Sequence, residues 1–352
     1  MTRPLSGTAR KLRALLALAA RAYGLRTRRR RLLWRSFRSR HALRVVKDRS
    51  GAIGRSDILC FMTVRNEAVR LPHFLNHHRK LGVDHFLIVD NDSTDGTRDC
   101  LAGQPDVSLW RTKASYKLSR FGLDWVTWLQ MRHGHGHWCL TLDADELLIY
   151  PYWETRNLPA LTGWLEDQGL AAMGAMMLDL YPEGPLSGAQ IGAGQDPLTV
   201  LRWFDAGNYS VQVQERMGNL WIQGGPRARL FFANEPRRAP TLNKIPLVRW
   251  DRRFAYVNST HAMLPPAMNR VFEVAGGERI SGLLLHTKFL PEVISKSAEE
   301  KVRQQHFANS ALYEGYYDTV MADPVLHCAM SERLGSWRRL EALGLMSRGG
   351  WV

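Results

Sequence analysis

Two groups of carboxylates carry the most chemistry in this sequence. One is Asp90, Asp92 and Asp95; the other is Asp143, Asp145 and Glu146. Each follows a short apolar run that reads as a buried strand. Carboxylates two residues apart on a turn after a strand can both reach one divalent cation. Oxygen ligands suit Mn2+ or Mg2+, which keep several waters and bridge to substrate phosphates. The chain has neither a Walker-type glycine-rich loop nor a Gly-x-Gly-x-x-Gly turn. Phosphate would therefore be held through a metal on carboxylates. Read alone, Asp143 and Asp145 serve equally well as turn and cap residues. The run His133-Gly134-His135-Gly136-His137 offers a second metal reading, because histidines two apart on a strand share one face. Its glycines, at the join of a helix and a strand, favour a spacer loop instead.

These residues need elements to position them. Apolar runs predict strands over 58–64, 85–89, 107–110 and 138–142. Leu71, Phe74, Leu75, His78 and Leu81 recur at helical spacing, so a helix is expected over 69–81, stopped at Gly82. A second helix is expected over 121–131. Further on, the pattern predicts a helix over 158–165, a strand over 172–180 and a Gly/Pro-rich loop over 184–197. Strands are then expected over 220–232, 254–259 and 281–289, and helices over 291–306, 311–321 and 331–343. Strands alternating with helices predict an α/β fold: a Rossmann-like, mainly parallel sheet flanked by helices, with a C-terminal helical extension. Both acidic groups fall at C-terminal strand ends, where such sheets bind ligands. No linker interrupts 50–345, which reads as one domain with a nucleotide-binding half (50–150) and an acceptor half carrying the C-terminal helices (151–345).

The segments around the acids decide between the metal and turn readings. Phe61-Met62-Thr63-Val64-Arg65-Asn66-Glu67 is followed by Phe86-Leu87-Ile88-Val89-Asp90-Asn91-Asp92-Ser93-Thr94-Asp95-Gly96-Thr97, then by Leu140-Thr141-Leu142-Asp143-Ala144-Asp145-Glu146. In order and spacing this resembles the family 2 glycosyltransferases of GT-A fold, in particular a bacterial branch with an Arg-Asn-Glu first turn and an Asp-Ala-Asp-Glu metal motif. Weaker resemblance runs through Asn243-Lys244-Ile245-Pro246, Ser259-Thr260-His261 and Leu285-His286-Thr287-Lys288.

The resemblance implies roles. Thr63, Arg65, Asn66 and Glu67 would line the nucleotide, Asp90 would contact the base (uracil being commonest in the family), and Asp92 would assist at the ribose. Asn91-Asp92 stands here where many members read Asp-Gly. Asp143 would face the ribose or a metal-bound water, Asp145 would ligate Mn2+ or Mg2+, and His286 would be a further metal ligand. The implied reaction moves a sugar from a nucleotide-sugar donor, UDP-linked, to an acceptor hydroxyl with inversion. The acceptor would be a glycan or a lipid-linked molecule of the cell envelope. A general base is required, and Asp179, Glu215 and His261 are the candidates. Two rivals are nucleotidyl transfer on a similar sheet and a non-catalytic nucleotide- or glycan-binding protein.

Charge separates an arm from this body. The chain of 352 residues has net charge +15. Residues 1–49 hold 16 Lys/Arg and one acid, Asp48, so the remainder is neutral. Leucines at helical spacing among the arginines of this arm read as an amphipathic element at an anionic membrane surface, or as a solvated tail. Nothing else in the chain supports nucleic acid as its partner. The apolar stretch 14–20 is too short to span a bilayer, and the arginines after it argue against a cleaved signal. The four cysteines, Cys60, Cys100, Cys139 and Cys328, form no Cys-x-x-Cys pair and read as reduced thiols. The expected place is the cytoplasm, peripherally at the inner face of the membrane.

Overall fold

A computed structural model describes residues 7–272, 279–303 and 314–352. Nine strands make the central sheet: β1 (Arg44–Lys47), β2 (Leu59–Val64), β3 (His85–Asp90), β4 (Val107–Arg111), β5 (Trp138–Thr141), β6 (Glu146–Ile149), β7 (Ala172–Asp179), β8 (Asn243–Arg249) and β9 (Ser281–His286). Across the sheet they run β1-β4-β3-β2-β5-β8-β7-β9-β6. Six of the nine point one way, and β1, β6 and β8 oppose them. The helices are α1 (Gly7–Ser39), α2 (Leu71–Leu81), α3 (Thr97–Ala102), α4 (Leu123–Leu129), α5 (Leu158–Asp167), α6 (Glu292–Arg303), α7 (Glu314–Met321) and α8 (Trp337–Ala342). The chain is thus α/β, with a mainly parallel sheet flanked by helices, as its pattern predicts.

Successive residues of a strand face opposite sides, and here both sides are covered. Cys60, Met62 and Ile88 pack with Phe74, Leu75 and Leu161 of α2 and α5. Leu59, Phe61, Leu87 and Val89 pack with Trp125, Val126 and Leu129 of α4. That is why these strands read as continuous apolar runs rather than alternating ones. Helix α2 starts on Pro72 and buries Leu71, Phe74, Leu75, His78 and Leu81. Gly82 ends it at φ 100°. A Cβ there would also lie 2.8 Å from Pro159, so glycine serves both the left-handed turn and the close approach of α5.

Several expectations are corrected. The sequence pattern does not reveal β8, which lies between β5 and β7. Lys244 and Pro246 break its apolar run, and the strand accommodates them with a register shift between Lys244 and Leu247. Strand β6 follows directly on the Asp143–Asp145 turn. The strand expected over 220–232 is only Asn219–Gln223, paired with Ser210–Gln214, followed by a helical turn at Arg227–Phe231. That expected over 254–259 shrinks to Ala255–Tyr256, paired with Met263–Leu264. Residues 331–343 divide into a short strand Ser331–Arg333, paired with Trp203–Asp205, and helix α8. Residues 304–306 and 311–313, expected as helix, lie outside the described residues.

The basic arm also differs from a free tail. Its second half is docked on the body: Leu25 and Leu32 are buried with Ala255 and Leu264. Asp124 accepts hydrogen bonds from Arg35 and Ser36, and Phe37 meets Trp128 edge-on. Residues 44–47, read as the end of the arm, are the edge strand β1. Among the described residues no helix is long and apolar enough to cross a membrane. All four cysteines are free thiols.

Candidate active site

A cleft of about 630 Å³ opens where β2, β5, β7 and β9 end. Of the residues singled out in the sequence, Thr63, Arg65, Asn66, Glu67, Asp143, Asp145, His261 and His286 line it. One wall is the turn after β2. The Ser93–Thr97 segment after β3 fixes its shape. Ser93 Oγ accepts from the Asn66 N–H at 3.0 Å, Thr97 Oγ1 from the Glu67 N–H at 2.8 Å and Asp95 from the Ala68 N–H at 3.0 Å. Asn66 sits at φ 53°, and its side-chain oxygen accepts from the Thr94 N–H. Arg65 donates to the carbonyls of Asn91 and Asp92. Glu67 is gripped by Arg70 at 3.0 Å and by Lys296, so its carboxylate holds the turn to α6. Thr63 Oγ1 is buried with no hydrogen-bond partner.

The opposite wall is made of buried charge. His286 Nδ1 meets Asp179 at 2.6 Å, and its Nε2 faces Asp145 at 3.2 Å. Asp179 is held on both oxygens by Arg227, at 2.7 Å each. The Asp145 backbone carbonyl accepts from the Thr287 N–H at 2.7 Å, which locks the acidic turn to the end of β9. Burial opposes the charge on Asp145, yet His286, Arg70 and Lys288 hold its pKa well below the usual carboxylate range. Burial likewise opposes protonation of His286, and the flanking Asp145 and Asp179 outweigh it, so its pKa is raised. Nδ1–H donation to Asp179 orients the ring and leaves Nε2 as the lone pair of the neutral form. One carboxylate and that nitrogen then converge on the cleft. Among the described residues no group of three or more His, Cys, Asp or Glu is placed to hold a metal. The two donors alone leave most positions of a cation to phosphate and water.

Lys244, buried in β8, is the main element that the sequence reading passed over. Its Nζ lies 3.1 Å from Asp143 and 2.9 Å from Glu146. Burial works against its charge, and the two carboxylates more than restore it, raising its pKa. Burial pushes Glu146 up to about 7 despite Lys244. Glu146 also accepts from the Asp143 N–H at 3.1 Å, so it shapes the acidic turn from below. Arg227 was missed too. Lys244 had a signal, a single basic residue in an apolar stretch, whose burial demands a partner; Arg227, beside Gly-Gly-Pro and Arg229, had none.

The remaining candidates lie elsewhere. Asp90 is fully buried, bound by Arg98 and by the Ser93 N–H, and does not line the cleft. Asp92, at φ 60°, points away toward Lys113 at 3.9 Å. Asp179 sits beneath the cleft with both oxygens engaged, which removes it as a free base. Glu215 is exposed at the tip of the 210–223 hairpin, where its carbonyl accepts from Arg21. Of the three base candidates only His261 reaches the cleft. Its Nδ1–H donates to the Asn243 carbonyl at 2.5 Å. Burial and the nearby Lys244 charge push its pKa down to about 3, so it is neutral with Nε2 as acceptor. In the glycine–histidine run, His133 lies within the helical turn Gln130–Gly134, and His137 bonds the Asp57 carbonyl.

No family model matches this chain, and no curated protein does. Solved structures show partial likeness. A glucosyl-3-phosphoglycerate synthase from Mycobacterium tuberculosis, in complex with Mn2+, UDP and phosphoglyceric acid, aligns at 15% identity and TM-score 0.22, over 38% of this chain and 46% of its own. A UTP-bound UGPase from Acinetobacter baumannii aligns at 10% identity and TM-score 0.28, over 82% and 92%. A 4-diphosphocytidyl-2C-methyl-D-erythritol synthase aligns at 15% identity and TM-score 0.25, over 40% and 66%. This chain therefore spans just under two thirds of the last and less than half of the first. At such scores the likenesses say nothing about its chemistry.

Proposed function

We propose that the chain is a nucleotide-sugar glycosyltransferase of GT-A type, dependent on Mn2+ or Mg2+, that transfers a sugar to an acceptor hydroxyl. The observation that carries this reading is the convergence of Asp145 and His286 Nε2 on the cleft, with Asp179 orienting the imidazole from behind. This donor set fits a divalent cation. Asp145 and His286 would hold it, and bound there it would offset the charge that builds on the diphosphate leaving group. Asp143, exposed on the same turn and tied to Lys244, faces the donor. Lys288 and Lys296 line the cleft beside it and favour an anionic ligand.

The nucleotide lies along the Thr63–Glu67 turn, whose backbone the Ser93–Thr97 caps hold rigid. Thr63 Oγ1 is an unused hydrogen-bonding group there. Asp90 and Arg98 support this wall from behind, an indirect role for the residue that the family pattern puts on the base. His261 Nε2 is the group placed to accept a hydrogen bond from the acceptor hydroxyl, and burial, with Lys244, keeps that imidazole neutral. Its depressed pKa makes it a weak base, so its larger part is orientation of the hydroxyl. Trp221, Arg237, Arg238 and Tyr317 also line the cleft, and the acceptor is assigned to them.

The test is product analysis with UDP-sugars and Mn2+. Release of UDP supports glycosyl transfer; release of pyrophosphate from nucleoside triphosphate and sugar phosphate would replace it with nucleotidyl transfer. Binding without turnover would leave a nucleotide-binding protein. A nucleoside diphosphate that binds only the native state adds about 2.7 kcal/mol of stability at 100 times its Kd. Asp145→Asn should remove the Mn2+-dependent part of that gain and abolish turnover. Full activity of the variant with a chelator present would sink the metal assignment.

A further inference from the structure

We infer that α1 is a docking element for an anionic phospholipid bilayer, lying on its surface without crossing it. Helix α1 carries eleven Lys/Arg and no acid. Its two halves have different surroundings. From Leu25 onward it packs on the body through Leu25, Leu32, Ser36 and Phe37. Before Leu25 it projects: Leu15, Leu16 and Leu18 are each more than 60% exposed, and Tyr23 is 70% exposed. The run from Ala14 to Ala20 is apolar without interruption. A helix apolar on all sides is not stable facing water, and α1 has no acid in its first turn to offset its dipole. This half of the helix needs a cover.

The surroundings of the projecting half select that cover. Lys11, Arg13 and Arg21 flank the apolar run, and Arg28, Arg30 and Arg31 are exposed further along. Beside it lies a groove of about 360 Å³, floored by Leu18, Leu25, Leu264, Pro265 and Pro266 and rimmed by Arg21, Arg26, Arg29 and Arg216. Apolar floor and cationic rim match an acyl chain beneath a phosphate headgroup. A second copy of the chain would bring two strongly cationic helices together, which like-charge repulsion opposes. A bilayer answers both features: leucines enter the acyl boundary while arginines meet anionic headgroups. The helix is too basic to span. One small hairpin links this face to the cleft, since it carries Leu264 at the groove and Asn258, Ser259 and His261 at the cleft.

The test is sedimentation of the full chain with vesicles of phosphatidylcholine, alone or mixed with phosphatidylglycerol. Binding should require the anionic lipid at low salt and disappear in 1 M salt, where charges are screened beyond about 3 Å. Arg21→Gln with Arg26→Gln should weaken it about tenfold or more, at about 1 kcal/mol per base. Leu15→Glu with Leu18→Glu should abolish it while circular dichroism and thermal midpoint stay unchanged, because both side chains are exposed. Equal binding to neutral and anionic vesicles would overturn the proposal, as would unchanged binding by the leucine variant. So would self-association in solution that the leucine variant removes. A DNA duplex that displaces the protein from vesicles at equal phosphate would assign the helix to nucleic acid instead.

Discussion

The two walls of the cleft are built on different physics. Around the turn after β2, side chains cap backbone amides over about thirty residues of sequence or fewer, the hydroxyls of Ser93 and Thr97 for Asn66 and Glu67 and the Asp95 carboxylate for Ala68, beside the Glu67 pairs with Arg70 and Lys296 near the surface. Across the cleft, partly exposed Asp145 and buried His286, Asp179 and Arg227 form a chain of ion pairs drawn from the turn after β5, β9, β7 and the helical turn at Arg227. A neutral cap is worth about 1 kcal/mol and fails locally. A buried charge pair is neutral only while complete, and losing one member strands the other. The first wall can therefore tolerate variation that the second cannot.

The largest effect should come from breaking the second wall. Arg227→Met leaves Asp179 buried without its guanidinium and should cost about 3–5 kcal/mol in denaturant unfolding. A loss under 1 kcal/mol would mean that His286 alone satisfies Asp179. Lys244→Met should cost less, because Glu146, already pushed up to about 7, can take a proton and become neutral. Adding Glu146→Gln should then recover most of the loss. If the two substitutions prove additive instead, Lys244 does not act through Glu146.

The same contrast explains what the sequence revealed. Strands β2, β3 and β5 and helix α2 are local patterns with clear stops, so they and the turn residues after them were legible. So were Asp145 and His286, although their meeting across β6 and β9 was not derivable from spacing. Strand β8 was hidden because Lys244 and Pro246 break its apolar run, and both are tolerated only through a bulge and two carboxylates brought from β5–β6. The resemblance puts Asp90 on the base, whereas the structure buries it outside the cleft lining. Its partner, Arg98, lies eight residues on, as the second residue of α3. Glu215 was selected by type only, with no element placing it near the cleft.

Acid should expose the seam between the walls. His78 is fully buried; its Nδ1–H donates to the Phe74 carbonyl, and its Nε2 accepts from the Leu148 N–H. That pairing needs the neutral ring and ties α2 to β6. Burial pushes His77 down to about 4 and His78 well below its usual value. Above about pH 6.5 both are neutral, folded or unfolded, and the contribution of this pair is complete. Below it the unfolded chain takes up protons first, so stability falls with pH through the window from 6.5 to 4 and further for His78. Denaturant midpoints measured across this range should drop, and His78→Gln should flatten the drop. A drop that His78→Gln leaves unchanged would mean that this seam is open to water.

The smallest expected effect lies on the first wall, at an unpaired hydroxyl. Thr63 Oγ1 is buried without a partner, and Gly122 closes over it so tightly that a Cβ there would sit 2.6 Å away. Without a bound partner the hydroxyl only carries its desolvation cost. Thr63→Val keeps the shape and removes that cost, so unfolding should be unchanged or up to about 1 kcal/mol more favourable to the folded state. If the hydroxyl is there to meet the nucleotide, the same variant should bind UDP about fivefold more weakly, the loss of one neutral hydrogen bond of about 1 kcal/mol. Calorimetric titration beside denaturant unfolding separates the two roles. A gain in stability with unchanged affinity would make the orphaned hydroxyl a packing accident and take Thr63 out of the site. A gain in one and a loss in the other would mean that this wall, unlike its charged opposite, holds its spare hydrogen-bonding capacity for the ligand.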